Sequence, residues 1–230
     1  MGEHNQRRLI RKLDLERFLS KIKPHPSPKA SLEQYTTSEA VAANVLYLAA
    51  YTFGDIIDKK VLDLGCGTGR LSLGAAFLGA KSVVGVDIDK TAIETAMQNT
   101  KNTTSTADIN WLIGDINAVT GKFDTVVENP PFGVQKHAAD RRFLEKALEV
   151  GTAVYSLHNH PQTDRLVLNQ LKTNSPKRNA LYPFIQRFVE EHGGRVEAVF
   201  TTPFIIPRMF DFHIKMKQEV LIDLYVIRRI

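Results

Sequence analysis

The run Val61-Leu62-Asp63-Leu64-Gly65-Cys66-Gly67-Thr68-Gly69 constrains the fold more than any other stretch. A short apolar segment enters a turn with glycine at every second position, and an apolar helical pattern follows. Glycines there let the backbone turn sharply and approach a ligand without a Cβ in the way. From residue 60 the chain keeps alternating. Strands are expected at Lys60–Leu64, Ser82–Asp87, Ile109–Ile113, Phe123–Glu128 and Ala153–Leu157, and helices at Arg70–Leu78, Lys90–Lys101, Arg141–Val150 and Tyr182–His192. Such alternation predicts an α/β fold, a parallel sheet with helices on both faces. Val196–Thr202 and Val220–Arg228 are strand-like runs with no helical segment between them, so an antiparallel pair should close the sheet.

Ahead of this body, Leu9, Ile10, Leu13, Phe18, Leu19 and Ile22 predict an amphipathic helix over 6–22. Lys23-Pro24-His25-Pro26-Ser27-Pro28 reads as an extended, proline-stiffened linker. Thr36 with Glu39 has the spacing of a capping box before an Ala-rich helix over Ala40–Phe53. The expected organisation is therefore a basic helix and linker at 1–29 and one domain at 30–230.

The chain's net charge is +5, and residues 1–30, with eight Lys/Arg against three acids, carry all of that excess. A basic arm on a neutral body points to a polyanionic partner, the alternative being a solvated helix face. The single cysteine, Cys66, excludes an internal disulfide and a cysteine zinc cluster. No apolar run is long enough to span a membrane, and the first residues lack the pattern of a signal peptide. A cytoplasmic protein is expected. His158, Asn159 and His160 lack a matching carboxylate or cysteine pattern, so a strand-end turn is expected there and no metal.

Three acids fall in order at successive strand ends: Asp63 before the glycines, Asp87 about 20 residues beyond them, and Asp115 after the third strand. Asp87 suits two ribose hydroxyls, Ile88 could pack on an adenine ring, and Asp115 could accept from its amino group. The G-x-G-x-G spacing differs from the G-x-G-x-x-G dinucleotide fingerprint. Asn129-Pro130-Pro131-Phe132 then ends the fourth strand, because two prolines cannot donate ladder hydrogen bonds.

Together Asp63, Gly65, Cys66, Gly67, Gly69, Asp87 and Asp115 resemble the cofactor motifs of class I S-adenosylmethionine-dependent methyltransferases. Asn129-Pro130-Pro131-Phe132 is similar to their amino-methyltransferase signature, and Gln34-Tyr35-Thr36 to the element that touches the methionine part of the cofactor. The resemblance implies a Rossmann-like, seven-stranded, mostly parallel sheet with its last strand antiparallel. It also implies S-adenosyl-L-methionine as cofactor, held by Gln34, Tyr35, Thr36, Asp63, Gly65, Cys66, Gly67, Gly69, Asp87, Ile88, Asp115 and Asn129.

The motif suits methylation of an amino group on an sp² carbon. Such a nitrogen must become more tetrahedral and build positive charge, which acceptors for its two N–H bonds favour. The Asn129 side-chain oxygen and the Pro130 carbonyl are candidate acceptors, Pro131 holds the turn, and Phe132 can stack on a base. Lys136, Arg141 and Arg142 follow the motif. Arg165, Lys172, Lys177, Arg178 and Arg187 face only Asp164 between 164 and 187, so the region suits phosphate contacts.

Downstream, Asp140-Arg141-Arg142-Phe143-Leu144, Val154-Tyr155-Ser156-Leu157-His158 and Ile206-Pro207-Arg208 resemble the archaeal and eukaryotic methyltransferase-like protein five group. That resemblance implies N6-methylation of adenosine in small-subunit ribosomal RNA, with Phe132, Lys136, Arg141, Arg142 and Arg208 toward the RNA. It also implies a small zinc-binding activator protein as a partner. Protein glutamine, guanine N2 and DNA adenine remain alternative acceptors, and a non-catalytic RNA-binding module the alternative to an enzyme.

Overall fold

In the computed structural model, residues 9–103, 108–132, 139–161, 177–178, 183–207 and 217–230 are described. Their strands are β1 (Lys60–Leu64), β2 (Ser82–Asp87), β3 (Asp108–Ile113), β4 (Phe123–Glu128), β5 (Gly151–Asn159), β6 (Lys177–Arg178), β7 (Gly194–Pro207) and β8 (Lys217–Arg229). The α-helices are α1 (Lys12–Leu19), α2 (Glu39–Tyr47), α3 (Arg70–Phe77), α4 (Lys90–Lys101), α5 (Ala139–Val150) and α6 (Pro183–Glu191).

The strands form one sheet in the order β3-β2-β1-β4-β5-β8-β7-β6. Pairings among β1 to β5 are parallel, and β8 runs antiparallel to both β5 and β7. The expected sheet of seven strands with an antiparallel last strand is present, extended by the two-residue β6 on the outer edge of β7. The closing pair is longer than its apolar runs predict, because the ladder continues through Pro203 and Pro207 to Lys217.

Alternation along the strands divides the interior into two cores. Val61, Val127, Ala153, Tyr155 and Leu157 pack with Val41, Leu46, Leu71 and Leu73 of α2 and α3. Leu62, Leu64, Val126 and Val154 face the other way, onto Leu144, Ala147 and Leu148 of α5 and Val189 of α6.

The segment before residue 30 is tied to the first core. Leu15, Leu19 and Ile22 are buried beside α2 and α3, while Leu9 and Leu13 are exposed. The helix is shorter than 6–22: it begins after Arg11, which is extended and gives no side-chain cap, and residues 1–8 lie outside the described chain. Within it Arg11 and Arg17 pair with Asp14, and Lys12 pairs with Glu16. These exposed pairs take up part of the arm's positive charge locally.

Three local expectations need correction. The N-cap of α2 is Ser38, whose side chain accepts from the Val41 N–H, so the helix starts at Glu39 and Thr36 lies before it. Glu39 pairs with Arg70 rather than closing a capping box. The helix also stops being α-helical at Tyr47 and continues over Leu48–Thr52 as a π-helix. His158, expected in a strand-end turn, is buried inside β5, which pairs with β8 as far as Asn159.

Candidate active site at the carboxyl ends of the strands

A cavity of about 260 Å³ opens where β1, β2 and β4 end. Its walls include Gln34, Tyr35, Thr36 and Thr37 from the segment before α2, and Asp63, Gly65, Cys66 and Gly67 from β1 and its turn. Asp87, Ile88, Asp115, Asn129, Pro131, Ala139, Arg142 and Phe143 also line it. Sheet order accounts for the meeting: β1 lies between β2 and β4, so their ends converge on one crevice.

The glycine turn is shaped by two different needs. Gly67 has φ +54°, and a Cβ there would meet no atom within 4 Å, so that side of the turn faces open space. Gly69 has φ +85° and caps α3, and a Cβ there would strike the Trp111 ring. Trp111 is itself held by its indole N–H donating to Thr100 Oγ1 at 3.0 Å.

Asp87 accepts from the Gly67 N–H through Oδ2 and from the Asp89 N–H through Oδ1, both at 2.8 Å. Burial raises its carboxyl above the usual range. Asp63 accepts from the Ser72 N–H and hydroxyl, both through Oδ2, and burial pushes its carboxyl up to about 7. Asp115 caps the turn after β3 by accepting from the Asn117 N–H at 2.9 Å. That bond, ahead of Arg142 at 3.3 Å, holds its carboxyl low. Burial drives the Cys66 thiol up, so it is a packing residue in the turn.

Asn129 follows β4. Its side-chain N–H donates to Thr37 Oγ1 at 2.8 Å, while its Oδ1 is buried with no hydrogen-bond partner among the described residues. A buried carbonyl oxygen without a donor is costly and uncommon. Immediately before it, Glu128 is fully buried and its carboxyl is pushed up to about 8 by that burial. Glu128 meets Ser156 Oγ at 2.6 Å, Ser156 meets His158 Nε2 at 2.8 Å, and His158 Nδ1 lies 3.7 Å from Asp140. Burial acts to raise the Asp140 carboxyl, but His158 and, after it, Arg141 together hold it low. The chain of polar groups thus links β4 to the first turn of α5.

Most of the site residues expected from the sequence therefore come together. Gly69, Pro130 and Phe132 do not line the cavity; Phe132 packs edge-on against Phe204, 6.3 Å between centroids. Arg141 sits over the exposed Phe184 ring at 4.6 Å, away from the cavity lining that holds Arg142. Lys136, Arg165, Lys172 and Arg208 lie outside the described residues. Sequence reasoning missed Thr37, Ala139 and Phe143 as lining residues, and His25, which reaches the cavity from the proline linker. A Thr37 role was hinted only by its place beside Gln34-Tyr35-Thr36. Among the described residues no group of His, Cys, Asp and Glu is arranged to hold a metal, and no helix is long and apolar enough to cross a membrane.

Residues 43–177 match the family model of the methyltransferase small domain. The rRNA N(6)-adenosine-methyltransferase METTL5 of Danio rerio is 34% identical over 91% of this chain and 95% of its own length. The crystal structure of PH1948 from Pyrococcus horikoshii, a candidate RNA methyltransferase, superposes with a TM-score of 0.80. It is 38% identical, over 96% of this chain and 99% of that one. A candidate protein N5-glutamine methyltransferase of Methanocaldococcus jannaschii is 42% identical, but over only 34% of this chain.

Proposed function

Because the chain belongs to the methyltransferase small domain family, we propose that it transfers a methyl group from S-adenosyl-L-methionine to N6 of adenosine in ribosomal RNA. The cavity fits such a cofactor: the turn at Gly67 leaves space beside it, and Asp87 and Asp63 offer carboxylates on either side of that turn. When bound, the cofactor supplies an electrophilic methyl group on a sulfonium.

The observation that carries the reading is the buried Oδ1 of Asn129, which has no hydrogen-bond partner among the described residues. Pro130 lies outside the cavity lining and is not counted as a second acceptor. An amino nitrogen placed against Oδ1 would donate an N–H to it. That arrangement releases the lone pair from the ring as positive charge builds on nitrogen. Thr37 is a positioning residue: by accepting from Nδ2 it turns the amide so that the oxygen remains available. The base must leave its stack, or come from a single-stranded region, to enter.

Ribosomal RNA is supported by METTL5, which resembles this chain over nearly its whole length, whereas the glutamine methyltransferase matches a third of it. Arg142, in the cavity lining and half exposed, suits a phosphate contact, with Arg141, Lys136 and Arg208 as further candidates. We keep the small zinc-binding activator as a candidate partner. The outer edge of β3 pairs with no strand among the described residues, and Leu112 and Ile113 are about half exposed there, at 50% and 54%. A cytoplasmic location belongs to the same reading. So does the division of the chain into a catalytic domain at 30–230 and a segment at 1–29, of which Leu15, Leu19 and Ile22 pack on the domain.

The test is incubation with methyl-labelled cofactor and ribosomal RNA, followed by nucleoside analysis. Label in N6-methyladenosine is expected. Label in protein that resists ribonuclease would replace this reading with the glutamine one, and label in N2-methylguanosine would move the target to another base.

A further inference from the structure

His25 belongs to the proline linker, yet its side chain is only 5% exposed and is among the cavity-lining residues, as are Asp87 and Gln34. Pro24 and Pro26 restrict the backbone on either side of it. The linker is fastened to the glycine turn through Asn99. That side chain accepts from the Lys23 N–H at 3.0 Å and donates to the Lys23 and Thr68 carbonyls at 3.1 and 3.0 Å.

The ring's two nitrogens differ. Nδ1 accepts from the Ser27 N–H at 3.1 Å, so in the neutral ring the proton sits on Nε2. Nε2 is buried and 3.3 Å from Asp89 Oδ2, but off the line of a hydrogen bond, and has no other partner among the described residues. Asp89 does not need that donor. Its Oδ2 already takes Gln34 Nε2 at 2.9 Å and Lys29 Nζ at 3.2 Å, and its Oδ1 the Thr91 N–H.

The nearby Asp87 carboxylate can only accept. Ribose hydroxyls bound to it direct both protons at the carboxylate and leave their own oxygens requiring a donor. We propose that His25 is a cofactor-binding residue, its Nε2–H donating to the ribose diol that Asp87 accepts from, so that the linker forms part of the cofactor site. The proposal rests on the cofactor reading above and adds to it a residue from outside the sheet domain. It also gives the linker's anchoring to Thr68 a purpose, since both partners of the diol are then fixed relative to the same turn.

The test is calorimetric titration of the full chain with S-adenosylhomocysteine. His25→Ala should weaken binding about five- to tenfold, the worth of one hydrogen bond, and His25→Gln should recover part of the loss through its amide N–H. Toward an analogue lacking the 2′- and 3′-hydroxyls, wild type and His25→Ala should bind equally. Equal affinity of all three proteins for S-adenosylhomocysteine overturns the proposal, as does a penalty that persists with the deoxy analogue. Should His25→Ala fail to fold, the His25→Gln and wild-type titrations with the two ligands decide by the same criterion. Failure of the wild type to bind S-adenosylhomocysteine overturns the cofactor reading instead.

Discussion

The two ends of the cavity are built on opposite principles. At the end beside β2 the polar groups are fastened to one another: Asp87 to Gly67 and Asp89, Asp89 to Gln34 and Thr91, Asn99 to Thr68. His25 Nε2 is the exception in that network, and at the end beside β4 the buried Asn129 Oδ1 has no hydrogen-bond partner among the described residues. A fastened network holds a shape that must fit one constant ligand. An unmatched acceptor is tolerated where a substrate completes it, and there it contributes most as charge develops.

The largest effect should come from the open end. Asn129→Ala should lower the methyl-transfer rate by about 10²–10³, the cost of one preorganised polar partner of the transition state, with affinity for S-adenosylhomocysteine retained. Single-turnover rates and calorimetry separate the two quantities. A parallel fall in affinity would place Asn129 in the fastened end and erase the contrast.

How far the sequence reveals this contrast depends on the kind of signal. β1, β2, β4 and α4 are legible to the residue, because strand alternation and flanking turns mark them locally. The carboxylates at strand ends are legible for the same reason. What the sequence hides is contact between distant segments. Thr37 orients Asn129 across 92 residues, and Asn99 fastens the linker across 76. Phe132 reads locally as a stacking platform, yet the structure turns it against Phe204. Ser38 competes with Thr36 for the same capping role, and propensity alone does not separate them.

Glu128 sharpens the contrast through stability. Its carboxyl moves from an ordinary 4.5 to about 8 on burial, so the folded state binds the proton more tightly than the unfolded state. Stability from this group is therefore full below about pH 4.5 and is lost as pH rises toward 8. Glu128→Gln mimics the protonated acid and should be the more stable protein at pH 8, by ~2–4 kcal/mol, with the difference vanishing near pH 4. Denaturant melts at the two pH values check this, and a pH-independent difference would show that Glu128 is ionised in the folded protein.

Gly67→Ala probes the fastened end. The left-handed φ of +54° costs an alanine ~1–2 kcal/mol. Its methyl group would also enter the space beside the turn, so affinity for S-adenosylhomocysteine should fall about tenfold or more. Unchanged affinity would mean that the ligand does not approach the turn at Gly67.

The smallest effect concerns Asp63, whose carboxyl titrates at about 7 because burial outweighs its two bonds from Ser72. A ligand carrying an ammonium group beside it stabilises the carboxylate, and binding must then expel a proton from whatever fraction is still protonated. Above pH 7 that fraction is small and affinity should be level. Below pH 7 affinity should weaken, by at most about tenfold per pH unit. Proton release follows the same curve and can be measured by repeating the calorimetry in buffers of different ionisation enthalpy. Asp63→Asn should flatten the profile while leaving the Ser72 contacts an oxygen to donate to. A profile that stays level in the wild type would instead make Asp63 a helix-anchoring residue of α3, and the charged partner of the ligand would have to be sought among Asp87 and Asp115.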